Sequence, residues 1–368
     1  MFSEFDELCM ARALELAELG RGAVEPNPMV GCVVAVGPKI VAEGWHQKFG
    51  GPHAEVLALE AAKESARGAT LYVTLEPCSH TGKTPPCVDA VLKSGVRRVV
   101  VAMQDPYPDV SGRGLRQLRQ AGLQVDVGLN EEEALSLNAP YLKLLQRGQP
   151  WVIAKWAMTL DGRIATSIGD SKWISDEFSR AVVHELRGRV EAIMVGSATA
   201  AADNPQLTAR PAGPRTALRI VVDGSASLSS NSQLAQTARQ VPVLIAVSRD
   251  SMADDRRRLS DLGCEVLVCD CPNRVSRLES LLDELGRRRM TNLLVEGGSR
   301  LLGNLFDIQA IDEVHCFLAP KLIGGISSPG PIGGNGIQQL RHALPVHTFS
   351  FRRLGSDLHL HGRLKPSG

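Results

Sequence analysis

The feature that most constrains this 368-residue chain is a double run of alternating strand-like and helix-like segments, interrupted by a polar, helix-breaking stretch at 146–150 (Gln-Arg-Gly-Gln-Pro). In the first run, residues 4–19 place Phe5, Leu8, Ala11, Leu14, Leu16 and Leu19 at helical spacing, and Gly20 ends the pattern. The apolar runs 30–36 and 40–45, joined by Gly37-Pro38-Lys39, read as a hairpin. Helices are expected at 54–66, 88–93, 114–120 and 131–145, and strands at 69–75, 97–103 and 125–129. That order predicts a three-layer α/β/α unit with a mostly parallel sheet. A second α/β pattern follows, with strands at 151–157, 192–195, 218–222, 243–247, 292–295 and 313–320 and helices at 176–188 and 276–289. The length suits two or three domains, and the break places them at 1–147 and 150–368.

Composition narrows the function classes. Lys and Arg total 41 against 40 Asp and Glu, a formal net charge of +1 with no basic block, so the electrostatic footprint of a nucleic-acid binder is absent. Glu4, Asp6, Glu7 and Glu15 interrupt the first thirty residues, so no signal peptide is read there, and no apolar run approaches a membrane span. Eight scattered cysteines suit reduced thiols in a cytoplasmic protein with a possible metal site, not a disulfide framework.

The chemistry concentrates at element ends. His53-Ala54-Glu55 opens a predicted helix, Pro77-Cys78 follows a strand, and Cys87 begins the next helix. One imidazole and two thiolates hold a single Zn²⁺ with a fourth position open for water. Glu55, two residues past the histidine, is then placed as a proton carrier that is not itself a ligand, the arrangement of zinc deaminases. The plain alternative is a helix-capping His53 and two merely buried cysteines. The eight residues between Cys78 and Cys87 exceed the two of the generic deaminase signature.

These stretches, with Asn27-Pro28-Met29-Val30-Gly31, Leu75-Glu76-Pro77-Cys78-Ser79-His80 and Gly82-Lys83-Thr84-Pro85-Pro86-Cys87, resemble the bifunctional riboflavin-biosynthesis deaminase–reductase family, in which the longer spacing is normal. The resemblance continues through Lys155-Trp156-Ala157, Thr159-Leu160-Asp161-Gly162-Arg163, Ser171-Lys172-Trp173-Ile174, Asp203 to Arg210 and Val295-Glu296-Gly297-Gly298. It implies a cytidine-deaminase-like N-terminal domain and a dihydrofolate-reductase-like C-terminal domain. It further implies two steps: hydrolytic deamination of a 2,5-diamino-6-ribosylamino-4(3H)-pyrimidinone 5′-phosphate, then reduction of the ribosyl chain to ribityl by NADPH. Deaminase substrate contacts would fall on Asn27, His46, Lys83 and Asp105. NADPH contacts would fall on Ala157, Trp173, Thr199, Asp203 and the segment Gly298, Ser299, Arg300, Leu301, Leu302, Gly303 and Asn304. Ser171, Arg187, Leu207, Arg210 and Glu296 would meet the reductase substrate, and a homo-oligomer built on the reductase domain is implied. Tyr107 and Gly224 depart from the family pattern.

Read from the residues alone, the second half lacks the G-x-G-x-x-G of a doubly wound dinucleotide fold. Its candidate cofactor feature is Glu296-Gly297-Gly298-Ser299-Arg300 between a strand and an apolar helix, where backbone amides can cradle a pyrophosphate. Without a ligand, the same residues make only a tight turn. Lys155 and Glu296 are expected to orient the acceptor or handle its proton. Two other readings are a deaminase whose second half only supports oligomerisation, and a zinc-stabilised binding protein. Glu55 argues against the latter, since a structural site would close its fourth position with another ligand.

Overall fold

The computed structural model describes residues 2–80, 85–107 and 111–364. The chain divides into two compact units between Arg147 and Gly148.

The first unit is built on a five-stranded sheet of β1 (Gly31–Val36), β2 (Lys39–Trp45), β3 (Thr70–Leu75), β4 (Arg98–Met103) and β5 (Gln124–Val127), in the order β2-β1-β3-β4-β5. Strands β3, β4 and β5 run parallel, while β1 is antiparallel to both β2 and β3. The short turn at Gly37, whose φ of 54° suits glycine, forces the hairpin. Buried Val33, Val34, Val73 and Val99–Val101 give the sheet two covered faces. Helix Glu4–Glu18 packs with Glu131–Leu137, and Ala54–Ala62 packs with Cys87–Ser94, one layer for each face.

One expected helix is two. The 131–145 pattern breaks at Asn138 into Glu131–Leu137 and Ala139–Arg147. Pro140 carries no N–H and tolerates only the first turn of the second helix. The buried Asn138 side chain leaves the helix to accept from the Met29 N–H (2.8 Å) and donate to the Met29 carbonyl (3.0 Å).

The second unit holds nine strands: β6 (Trp151–Thr159), β7 (Ala192–Gly196), β8 (Leu218–Val222), β9 (Val243–Ser248), β10 (Glu265–Cys269), β11 (Asn292–Gly297), β12 (Glu313–Ala319), β13 (His347–Leu354) and β14 (Asp357–Arg363). Their order is β10-β9-β8-β7-β11-β6-β12-β14-β13, parallel from β10 through β12 and antiparallel beyond. Strands β10, β13 and β14 were not expected from the sequence. β10 and β13 are sheet edges with little buried surface, and β14 buries His359 where the pattern asks for an aliphatic residue. Strand β11 returns between β6 and β7, so the carboxyl ends of β6, β7 and β11 flank one crevice, the usual ligand position in an open parallel sheet.

Candidate active sites

His53 occupies the position before helix Ala54–Ala62 but makes no capping hydrogen bond. Its Nδ1 lies instead 3.1 Å from Cys87 Sγ and 3.5 Å from Cys78 Sγ. The Cys87 N–H donates to Cys78 Sγ (3.3 Å) and the Val88 N–H to the Cys78 carbonyl (3.2 Å), so the ends of the eight-residue spacer are pinned together. The three ligand atoms lie within 4.8 Å of one another, and no fourth His, Cys, Asp or Glu joins them among the described residues. The Cys78 thiol is pulled down, first by its hydrogen bond with Cys87 and then, against burial, by His53. Cys87 is pushed up by Cys78 and by burial. Two sulfurs and one imidazole fit tetrahedral zinc with one open position.

Glu55 gives the second half of that fit. It is buried, and its Oε2 finds no hydrogen-bond partner. Burial, then the charge of Cys78, pushes its carboxyl up to about 7. A buried carboxylate oxygen without a partner costs free energy unless a polar group from the open side of the ligand set meets it.

Around this centre, His46 is buried and its ring meets the His53 ring edge-on at 5.2 Å. Its Nδ1 lies 2.9 Å from the Pro52 carbonyl, which must accept, so Nε2 is left to accept from Asn27 Nδ2 at 3.2 Å. Burial lowers the pKa of His46 and favours this neutral form. Asp105 is buried and accepts from the Tyr107 N–H (2.9 Å) and the Tyr141 hydroxyl (3.3 Å). Lys83 lies outside the described residues.

Burial raises Asp105 from 3.8 to about 6, so folding favours its protonated form. That contribution is complete below about pH 4 and is lost as pH rises through 6. Asp105→Asn is therefore expected to stabilise the first unit by about 1–3 kcal/mol at pH 7–8 and by much less at pH 4, as read by calorimetric melting.

Two residues given no role by the sequence hold these loops. Glu76 accepts from the N–H groups of Gly112 and Gly114 (both 2.9 Å) and of Asp105 and Leu115 (both 3.3 Å). A Cβ on Gly114 would stand 2.1 Å from the Pro77 carbonyl oxygen, so only glycine fits there. Glu76→Ala is expected to cost about 3 kcal/mol, because four backbone donors lose one acceptor group. Zinc content and ammonia release should fall together. Asn138, described above, fixes the Asn27–Met29 segment in the same way.

In the second unit, a cavity of about 810 Å³ opens at the ends of β6, β7 and β11. Lys155 and Glu296 face it, as do Ala157, Ser171, Trp173, Asp203, Leu207 and Arg210. Arg187 grips Glu296 through both carboxylate oxygens, Nε to Oε1 at 2.6 Å and Nη2 to Oε2 at 2.8 Å. Burial would raise Glu296, but Arg187, with help from Lys155 and His184, holds its carboxyl down at about 2. Burial depresses the Lys155 ammonium, with Glu296 opposing. Arg187 thus points at a protein carboxylate, whereas Arg210 is exposed and donates to Gln206 (2.8 Å) and Thr208 (3.1 Å). Arg180 stacks 4.8 Å over the exposed Trp173 ring. His184, three residues before Arg187 on one helix face, also lines the cavity and was not singled out by sequence.

A second cavity, about 650 Å³, lies at the ends of β7, β8 and β9. Thr199, Gly298 and Ser299 line both, so the two spaces meet at a neck. Gly297 takes φ 116°, and a Cβ on Gly298 would stand 2.8 Å from Thr199 Oγ1, so each position needs glycine for its own reason. Arg300, Leu301 and Asn304 line the second cavity and Leu302 the first. Gly303 lines neither and packs on Gly333.

Glu313, His315 and His361 also cluster, but as a closed hydrogen-bond relay. Arg352 donates to His359 Nδ1 (3.3 Å), which leaves His359 Nε2–H for His315 Nδ1 (2.9 Å) and His315 Nε2–H for Glu313 Oε1 (3.0 Å). His361 donates to the same oxygen (2.9 Å) and Trp151 to Oε2 (2.9 Å). Each imidazole N–H of the relay has its acceptor, and the relay ties β12 to β14 and β6.

Comparison with known proteins agrees with both halves. The RibD C-terminal domain family matches residues 150–360, and the cytidine and deoxycytidylate deaminase zinc-binding region matches 3–103. The chain is 44% identical to the riboflavin biosynthesis protein RibD of Actinobacillus pleuropneumoniae, over 95% of this chain and 93% of that one. It is 40% identical to RibD of Escherichia coli K12, over 97% and 98%. Among solved structures, Acinetobacter baumannii RibD superposes with a TM-score of 0.84 at 34% identity, covering 98% and 99%. The Thermotoga maritima diaminohydroxyphosphoribosylaminopyrimidine deaminase/5-amino-6-(5-phosphoribosylamino)uracil reductase superposes with a TM-score of 0.83 at 36% identity, covering 98% of each chain. A zinc-ligand set in one unit and a two-chambered crevice in the other thus stand on the fold of close relatives. This chain belongs to the RibD family of riboflavin biosynthesis proteins.

Proposed function

We propose that the chain deaminates 2,5-diamino-6-ribosylamino-4(3H)-pyrimidinone 5′-phosphate in residues 1–147 and reduces the ribosyl chain of the product with NADPH in residues 150–368. The observation that carries the first step is the buried Glu55, with an oxygen lacking a partner, beside His53, Cys78 and Cys87. Zinc in this ligand set supplies water made acidic enough to attack at neutral pH. Glu55 is the residue that would take a proton from the attacking water and hand it to the departing amino group, so that ammonia could leave and a carbonyl remain. The Nδ2 of Asn27, fixed by neutral His46, leaves Oδ1 for a ring amino group. Asp105, whose N–H donates to Glu76, is assigned to the substrate, and Lys83 to the substrate phosphate.

For the second step, NADPH supplies the hydride to C1′ of the opened ribosyl chain. Lys155 and Glu296 share the first cavity, where Lys155 delivers the balancing proton and Glu296, aligned by Arg187, orients the acceptor. Arg210 is the phosphate partner and Ser171 and Leu207 complete the substrate wall. Ala157, Trp173 and Asp203 in the first cavity, Thr199 and Gly298 at the neck, and the second cavity beyond them would hold the cofactor. Retention of this crevice favours the bifunctional reading over a support domain. Exposed Phe349 and Phe351 on edge strand β13 support a homo-oligomer through this unit. The net charge of +1 speaks against nucleic-acid partners, no described helix is long and apolar enough to cross a membrane, and a cytoplasmic setting suits the free thiols.

Removal of zinc by a chelator is expected to stop ammonia release and leave NADPH oxidation on the pre-deaminated substrate intact, with zinc restoring the first activity. Loss of both activities together would contradict the division of labour.

A further inference from the structure

We propose that Arg277, lying over Gly224 with Arg274 beside it, selects the cofactor by binding the 2′-phosphate of its adenosine ribose. This rests on the reading of the crevice as a dinucleotide site and adds to it the group that is discriminated.

The second cavity is strongly cationic for its size. Three arginines, Arg274, Arg277 and Arg300, line it against one carboxylate, Asp250. Asp250 already has neighbours, Ser248 Oγ at 3.2 Å and Arg249 Nε at 3.7 Å. Among the described residues, none of the three lining arginines has a hydrogen bond or ion pair with a side-chain carboxylate. Arg277 is half-buried, on the helix Arg274–Arg287, and a guanidinium held in that way without a carboxylate is a ready partner for an anion.

Its position decides which anion. The neck shared by the two cavities is at Gly298 and Ser299, where helix Ser299–Asp307 begins and where a pyrophosphate fits. Gly224 follows β8, and β8 is two strands from β11, so Gly224, over which Arg277 lies, stands roughly 10 Å across the sheet from Gly298 at the usual strand spacing. With a pyrophosphate at the start of helix Ser299–Asp307, that separation suits the far side of the adjoining ribose. Leu278, Leu281 and Ala246 give the same cavity an apolar wall against which a purine can lie.

Position 224 lies directly beneath this guanidinium. A Cβ there would stand 3.4 Å from Arg277 Nη1 and 3.6 Å from Cζ and Nη2, so any side chain at 224 would lie directly against the guanidinium. Gly224 does not have the positive φ that glycine alone tolerates, and a Cβ there would make ordinary van der Waals contact, so other residues fit and the charge of the side chain at 224 is what the guanidinium would feel. A carboxylate introduced at 224 would pair with Arg277 and repel a phosphate.

The test uses the full-length, zinc-loaded enzyme and the pre-deaminated substrate, with kcat/KM measured for NADPH and NADH. Calorimetric binding of 2′,5′-ADP and of 5′-ADP is measured on the same samples. Wild type should prefer NADPH and bind 2′,5′-ADP more tightly than 5′-ADP. Arg277→Ala should lower kcat/KM for NADPH by roughly 10- to 100-fold, through KM, and leave NADH unchanged, as expected for loss of a charge-assisted pair. Arg277→Lys should recover part of the loss. Gly224→Asp should reproduce it with Arg277 in place, which covers the case of an Arg277→Ala chain that does not fold. Equal effects on both cofactors, or none, in Arg277→Ala and Gly224→Asp would overturn the assignment while wild-type NADPH oxidation kept the reductase reading. Wild type that oxidises neither cofactor and binds neither nucleotide would overturn both.

Discussion

Glu55→Gln is expected to reduce ammonia release by roughly 10²- to 10⁴-fold, the usual worth of a positioned general acid–base group. The substitution keeps the shape of the side chain and touches no zinc ligand, so zinc content should remain at one per chain. NADPH oxidation on the pre-deaminated substrate should be unaffected. Stability supplies an independent check. Glu55 is buried with an oxygen lacking a partner and a carboxyl raised to about 7, so the charged form is costly near neutral pH. The glutamine variant should therefore melt at the same temperature or higher. A residue whose role was structural would give the opposite result, with lower melting temperature and retained turnover per folded molecule.

The second large effect is at Arg187. Arg187→Met leaves Glu296 buried without its bidentate partner, and breaking a buried pair in this way typically costs about 3–5 kcal/mol. Glu296 titrates near 2 in the folded chain and near 4.5 when free, so its ion-pair stabilisation is present above about pH 4.5 and is lost as pH falls through 2. The stability deficit of Arg187→Met should accordingly be full at pH 6–7 and shrink on acidification below 4.5. Adding Glu296→Gln should restore most of the stability because the unpaired charge is gone. It should not restore NADPH oxidation, because the carboxylate that aligns the acceptor is missing. Calorimetric melting from pH 3 to 7, together with NADPH absorbance, separates the two contributions.

What the sequence revealed and what it hid follow from how far apart the interacting residues are. His53, Cys78 and Cys87 were legible because each stands at the end of a short, strongly patterned element, and the outermost two are only 34 positions apart. The parallel strands β6, β7, β8, β9, β11 and β12 were legible as apolar runs, since both faces are covered. Antiparallel β13 and β14 were not, because one is almost wholly exposed and the other buries a histidine and hydrogen-bonds it along its relay. Arg187 and Glu296 were each singled out, but their pairing spans 109 residues and no local pattern encodes it. The same holds for Asn138 and Met29, also 109 apart. Glu76 sat inside a quoted motif, yet its role emerges only from the backbone donors of 105–115 that fold over it. Arg277 looks like an ordinary helix-surface arginine until Gly224 is seen beneath it.

The most direct test of two chemistries in series is to mix the zinc-loaded protein with the diaminopyrimidine ribosyl phosphate and NADPH, following ammonia and the 340 nm absorbance together. Ammonia release should lead, NADPH oxidation should follow after a lag, and the totals should converge on one NADPH consumed for each ammonia released. Ammonia without oxidation would reduce the second unit to a support. Oxidation that precedes ammonia would reverse the order of the steps and contradict the account.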